Sequence, residues 1–76
     1  MLNLEAAREI LAKALDIPIE KLGNDASIDT LDRWDSLGHM RIVLGIEEKL
    51  GRELETDEVL NVSNVKAIAS VLSRKS

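Results

Sequence analysis

The stretch WDSLGHMRIVLGIEEKLG, residues 34–51, predicts one long amphipathic helix with two apolar faces. Asp35 and Ser36 are residue types that favour a helix start, and Gly51 is a natural C-terminal stop. At about 100° of turn per residue, the apolar side chains form two stripes on nearly opposite sides. The first stripe holds Ile42, Val43, Ile46 and Leu50, and the second holds Leu37, Met40 and Leu44.

Only one of these stripes is expected to face the core, because a helix buried on all sides is rare in so small a chain. We predict that the second stripe is exposed, close to Ser36 and followed by Glu47 and Glu48. An apolar patch with acidic neighbours is typical of a partner-docking surface. The alternative is that the long connection before this helix covers the second stripe.

Three further helices are predicted around this one. Apolar residues recur at helical spacing over residues 2–15, with Asn3 as a candidate N-cap and Pro18 as the break that follows. A short helix is predicted to begin with a hydroxyl cap at Thr56, and the last helix at Ser63 or Asn64. The inner face of the last helix is expected to contain Val65, Ile68, Ala69 and Leu72. The predicted fold is all-α, a small four-helix bundle with one short helix.

A long connection, residues 17–35, separates the first two helices. In so small a domain, a connection of this length is usually functional. Its apolar residues are predicted to pin it to the core: Ile19, Leu22, Ile28 and Leu31.

Composition excludes several classes of function. The 76 residues predict a single domain, 1–76, and the 14 acids against 10 bases argue against nucleic acid as a partner. The absence of cysteine and the single histidine argue against disulfides and a metal site. With no apolar run of membrane-spanning length, we expect a cytoplasmic monomer that does not insert into membranes. The core is expected to be aliphatic, built from Leu, Ile, Val, Ala and Met, and the chain to bind or carry rather than to catalyse.

The negative charge is concentrated in the middle of the chain. Residues 25–58 contain ten acids and four bases, a net charge of −6, whereas the remainder is +2. This is either an ordinary solvated surface or an acidic region that attracts basic partner surfaces.

The tripeptide Asp35-Ser36-Leu37, the helix through Ile46-Glu47-Glu48, and the acidic turn before a short helix together resemble an acyl carrier protein. The resemblance covers nearly the whole chain. It implies that Ser36 carries a 4'-phosphopantetheine arm, with Asp35 as the adjacent acid of the motif. It also implies a partner-binding helix face consisting of Leu37, Met40, Arg41, Leu44, Glu47 and Glu48.

The same resemblance implies the partners. A phosphopantetheinyl transferase would install the arm from coenzyme A, and acyl or aminoacyl ligases, synthases and transferases would use the cargo held as a thioester. Four residues depart from the pattern of housekeeping fatty-acid carriers: Trp34, Gly38, Arg41 and Lys49. We therefore expect a specialised carrier serving one pathway. Its cargo stays open among acyl chains, aminoacyl groups and hydroxy or sugar-linked acids.

Two alternatives do not involve a prosthetic group. In the first, the chain is a helical interaction module and Ser36 is only a helix cap. In the second, Ser36 and His39, three residues apart on a helix, form a nucleophile and base of a small hydrolase with Asp35 nearby. The sequence offers no substrate pocket or oxyanion hole for such an enzyme. His39 is expected to be a solvated residue, and the alternative is that it modulates the arm or partner docking.

Overall fold

The computed structural model describes residues 3–74 and shows an all-α fold. In this part of the chain the four helices are α1 (Leu4–Leu15), α2 (Ser36–Leu50), α3 (Thr56–Asn61) and α4 (Val65–Leu72), with a 3-10 turn at Ile19–Lys21 in the first connection. The predicted bundle with one short helix and a long first connection is confirmed. The predicted N-cap of the first helix at Asn3 is confirmed, and Leu2, where the predicted helical spacing begins, lies outside the described residues.

Side-chain caps define where three of the helices begin. The carboxamide oxygens of Asn3 and Asn64 accept from the amides of Ala6 and Ala67 at 3.0 and 2.7 Å. Asp35 caps α2 in the same way. The predicted hydroxyl cap at Thr56 is wrong, since the N-cap of α3 is Glu55 and its amide donates to the carboxylate of Glu58 at 2.9 Å.

The core lies where α2 and α4 pack against α1. Its largest fully buried side chains come from all three helices, the first connection and the end of α3: Leu11, Leu22, Ile42, Ile46, Ile68, Val62 and Val65. The expectation of a purely aliphatic core is wrong, because Trp34 is only 4% exposed and packs within it, whereas Met40 is exposed. In α4 the buried residue near the end is Val71, and Leu72 is half-buried.

Backbone hydrogen bonds fasten the first connection to the segment between α3 and α4. The amide of Ile28 donates to the carbonyl of Ser63 at 2.9 Å, and that of Val65 donates to the carbonyl of Ala26 at 3.0 Å. Leu22 is buried as predicted, but Ile28 is exposed, so its backbone rather than its side chain holds the connection here.

The end of the connection is tied back to α1. The Arg33 guanidinium donates to the carbonyls of Leu15 and Asp16 at 3.3 and 3.0 Å, which satisfies carbonyls left free at the helix end. This contact fixes the position of the chain just before α2 begins. Within residues 3–74, no helix has the length and apolar character needed to cross a bilayer, and no cluster of three acidic or histidine side chains could hold a metal ion.

Candidate functional site

Ser36 occupies the first turn of α2, with its side chain exposed to solvent. The residue that caps the helix is Asp35, whose Oδ1 accepts from the amide of Gly38 at 2.8 Å. Within residues 3–74, no hydrogen bond engages the Ser36 hydroxyl. The alternative in which Ser36 is only a helix cap is therefore wrong, and its hydroxyl is left available at the positive end of the α2 dipole.

Gly38 allows the first connection to close on α2. A Cβ atom built at Gly38 would lie 2.6 Å from the carbonyl oxygen of Arg33 and 2.7 Å from a methyl of Leu15. Because the first of these is backbone, a side chain here would push the connection away from the helix. Sequence reasoning missed this role; the available signal was a glycine inside a helix, where it costs about 1 kcal/mol relative to alanine.

His39 joins three separate segments of the fold. Its Nδ1 accepts from the indole Nε1–H of Trp34 at 2.9 Å, and its Nε2 lies 2.7 Å from the carbonyl oxygen of Val59 in α3. The Trp34 and His39 ring planes are inclined by 27° with centroids 6.1 Å apart, an edge-to-edge arrangement that suits this N–H···N hydrogen bond. The expectation that His39 is simply solvated is wrong.

These hydrogen bonds also decide the hydrolase alternative. An indole N–H can only donate and a carbonyl can only accept, so the arrangement requires a neutral imidazole with its hydrogen on Nε2. Both ring nitrogens of His39 are then occupied, and neither is free to take a proton from Ser36. The nucleophile and base pair is not assembled in this structure.

The second stripe of α2 is exposed, as predicted. Leu37, Met40 and Leu44 are 62%, 52% and 59% exposed, whereas Ile42, Val43 and Ile46 of the first stripe are buried. The long connection does not cover the second stripe. Leu60 of α3, 74% exposed, is a further apolar surface residue that the sequence analysis did not single out.

The charged residues near this stripe have different environments. The Glu47 carboxylate is half-buried and accepts from the amide of Leu54 at 2.8 Å, so it stabilises the connection between α2 and α3. Glu48, Arg41 and Lys49 are exposed. These three side chains line an open groove between α1 and α2 together with Leu44 and Lys13.

Comparison with known proteins gives the family. The family model described as "Phosphopantetheine attachment site" matches residues 5–72. This chain belongs to that family, the acyl carrier proteins. Two similar relatives are the acyl carrier proteins of Buchnera aphidicola subsp. Acyrthosiphon pisum, strains Tuc7 and APS. Each is 32% identical over 72 residues, which cover 93% of this chain and 89% of the relative.

The fold agrees with that of a solved acyl carrier protein. The solution NMR structure of the holo acyl carrier protein from Geobacter metallireducens superimposes with a TM-score of 0.78. The two chains are 26% identical, and the match covers 95% of this chain and 83% of the other. The predicted fold class and family are both confirmed.

Membership of the family establishes the type of function. Acyl carrier proteins carry rather than catalyse, their prosthetic group is 4'-phosphopantetheine, and they work with phosphopantetheinyl transferases and with synthases or transferases. The start of α2 in this carrier fits such a group, because the Ser36 hydroxyl is exposed and unbonded within the described chain. Asp35, and not Ser36, supplies the side-chain cap of the helix.

Proposed function

We propose that Ser36 is the attachment residue and that the carrier presents cargo from there to its partner enzymes. This proposal is supported by the different environments of two neighbouring side chains at the start of α2. Asp35 caps the helix through the amide of Gly38, while the neighbouring Ser36 hydroxyl is exposed. Asp35 is thus a positioning acid that fixes the first turn around the serine.

The location also suits a phosphodiester. A negative charge on Ser36 would lie at the N-terminal end of a 15-residue helix, where free amides and the macrodipole favour an anion. When bound, the arm supplies a terminal thiol that holds cargo as a thioester. The chain itself supplies the anchoring oxygen and an ordered helix start.

The partner-binding face in this proposal is the exposed side of α2 that follows Ser36. Leu37, Met40 and Leu44 provide its apolar centre, and the flexible thioether of Met40 can adapt to partners of different shape. Its charged residues are Arg41, Glu47 and Glu48. Of these, Glu48 and Arg41 are the freer contacts, because Glu47 already binds the amide of Leu54.

The cognate partners in this proposal are a phosphopantetheinyl transferase and the acyl or aminoacyl ligase, synthase or transferase of one specialised pathway. Support for specialisation comes from Arg41 and Lys49, two cations on the exposed side of α2. We further propose that the carrier acts as a cytoplasmic monomer, for which the acidic, cysteine-free composition is the support.

Incubation with coenzyme A, magnesium and a broad-specificity phosphopantetheinyl transferase tests the attachment residue. We expect intact-mass spectrometry to show one added arm on the wild type and none on Ser36→Ala. The matched control is Ser73→Ala, an exposed serine at the end of α4, which should be loaded like the wild type. A wild type left unmodified by several transferases, or a modified Ser36→Ala, would contradict the proposal.

A further inference from the structure

The hydrogen bonds of His39 join the start of α2 to the residue before the helix and to α3, and we call this arrangement the His39 clasp. The His39 clasp consists of the Trp34 Nε1–H to His39 Nδ1 bond and the His39 Nε2–H to Val59 carbonyl bond, at 2.9 and 2.7 Å. Trp34 lies two residues before Ser36, and His39 lies three residues after it. The clasp therefore connects the segment that enters α2, the first turns of α2 itself, and α3.

Helix α3 depends on such contacts for its position. It has only six residues, Thr56–Asn61, and a helix of that length is not stable in water by itself. Its N-terminal end is held by the bidentate hydrogen bonds from Arg52 to Glu58, both 3.0 Å. The bond from His39 to the Val59 carbonyl holds its later part against α2.

The clasp also controls Trp34. The indole is buried, and its N–H has His39 as its hydrogen-bond acceptor. A buried donor without a partner is strongly unfavourable, so loss of the imidazole would favour displacement of Trp34. Because Trp34 is followed directly by the capping residue Asp35, displacement of Trp34 would also disturb the start of α2.

We propose that His39 is a positioning residue for the attachment site. As a neutral imidazole with its hydrogen on Nε2, it holds Trp34 and α3 in one arrangement around Ser36. A phosphopantetheinyl transferase then meets a preformed surface instead of one that must be ordered on binding. This inference rests on the proposed attachment at Ser36.

Loss of the His39 clasp is expected to weaken binding of the carrier to the transferase and not to slow the chemical step. A surface that is ordered only in the complex weakens association, whereas the reacting groups of the bound complex stay the same. For His39→Leu, which removes both hydrogen bonds, we expect the KM for the carrier in the transferase reaction to rise about fivefold, corresponding to about 1 kcal/mol. The kcat should change little.

His39→Gln is the matched variant, because a glutamine amide can donate to the Val59 carbonyl and can accept from the indole. We expect it to restore most of the wild-type KM. Should His39→Leu fail to fold, Trp34→Phe replaces it, since it removes one bond of the clasp while keeping a ring in the core. It should raise KM in the same direction.

NMR spectroscopy provides a second readout, made simple by the single tryptophan and single histidine. The His39 nitrogen shifts should show the Nε2–H tautomer that these two hydrogen bonds require. The Trp34 indole hydrogen should exchange slowly with solvent in the wild type and faster in His39→Leu. Amide exchange over residues 59–62 should become faster in that variant as well.

The results separate this inference from the proposed function. A wild-type KM for a folded His39→Leu variant, or an Nδ1–H tautomer in the wild type, would overturn the positioning role. If the wild type is not loaded at all, the proposed function fails instead. Amide exchange over residues 59–62 then decides the position of α3: faster exchange in His39→Leu supports the clasp, and unchanged exchange overturns it.

Discussion

At the scale of single residues, the two glycines inside α2 differ in the space available for a side chain. A Cβ atom built at Gly38 would lie 2.6 Å from the backbone carbonyl oxygen of Arg33. A Cβ atom built at Gly45 would meet only a methyl of Ile10, at 3.2 Å. A side-chain methyl can move by a few tenths of an ångström, but a carbonyl in a fixed connection cannot do so without moving the chain.

We predict opposite outcomes for alanine at these two positions. Gly38→Ala should lower the free energy of unfolding by about 1–3 kcal/mol through overpacking, despite the better helix propensity of alanine. Gly45→Ala should be neutral or stabilising by up to about 1 kcal/mol, since the propensity gain offsets a small shift of Ile10. Urea unfolding of the two variants and the wild type measures both. Equal free energies of unfolding for the two variants would contradict this prediction, because they would show that the first connection moves to make room for a methyl group at residue 38.

At the scale of the helix, α3 is anchored by one buried carboxylate. Glu58 receives both guanidinium hydrogen bonds of Arg52 and the amide of Glu55, and Arg74 lies 3.9 Å away. The Arg52 hydrogen bonds, followed by that of the Glu55 amide, lower the pKa of Glu58 from 4.5 to about 2. The charged form of Glu58 thus stabilises the folded state.

The sign of the pH dependence follows from this lowered pKa. Glu58 contributes stability that is present above pH 4.5 and is lost as the pH falls towards about 2, because the unfolded chain binds the proton first. We predict that Glu58→Gln is less stable than the wild type at neutral pH and that the difference narrows over this window. Thermal unfolding between about pH 7 and about pH 2 measures it, with the exposed Glu53→Gln as control. A difference that does not change with pH would contradict the role of the Glu58 charge.

The helices were predictable from sequence because their signals are local. The caps at Asn3 and Asn64, the stop at Gly51 and the exposed stripe of α2 follow from residue types and spacing within one or two turns. The family resemblance at Asp35-Ser36-Leu37 was equally readable. The His39 clasp was not, because Val59 lies 20 residues further along the chain and its carbonyl carries no sequence signal. The same holds for Gly38, whose partner is a backbone atom of a connection without regular structure.

At the scale of the whole molecule, we predict that the charges of α2 influence which partner enzymes the carrier binds. The chain carries a formal net charge of −4, yet Arg41 and Lys49 are exposed along one groove with Lys13 of α1. A partner with a basic patch suited to a purely acidic helix would encounter like charges there, which weakens association and disfavours the wrong complex. Exposed charge pairs contribute only about 0.2–1 kcal/mol each, so cross-reaction should be reduced and not abolished.

We predict that a malonyl transferase from a housekeeping fatty-acid synthase charges the holo form of this carrier more slowly than its own carrier. Arg41→Glu should raise the rate, the double variant Arg41→Glu with Lys49→Glu should raise it further, and added salt should erase these gains by screening. Met40→Gln separates the apolar contribution: it should lower the rate at every salt concentration, because it removes an exposed apolar contact without changing the charge. If malonyl transfer to the unaltered carrier is as fast as to a housekeeping carrier, the proposal of a specialised carrier is contradicted. If the acidic variants leave the rate unchanged while Met40→Gln lowers it, partner choice depends on the apolar stripe and not on the two cations.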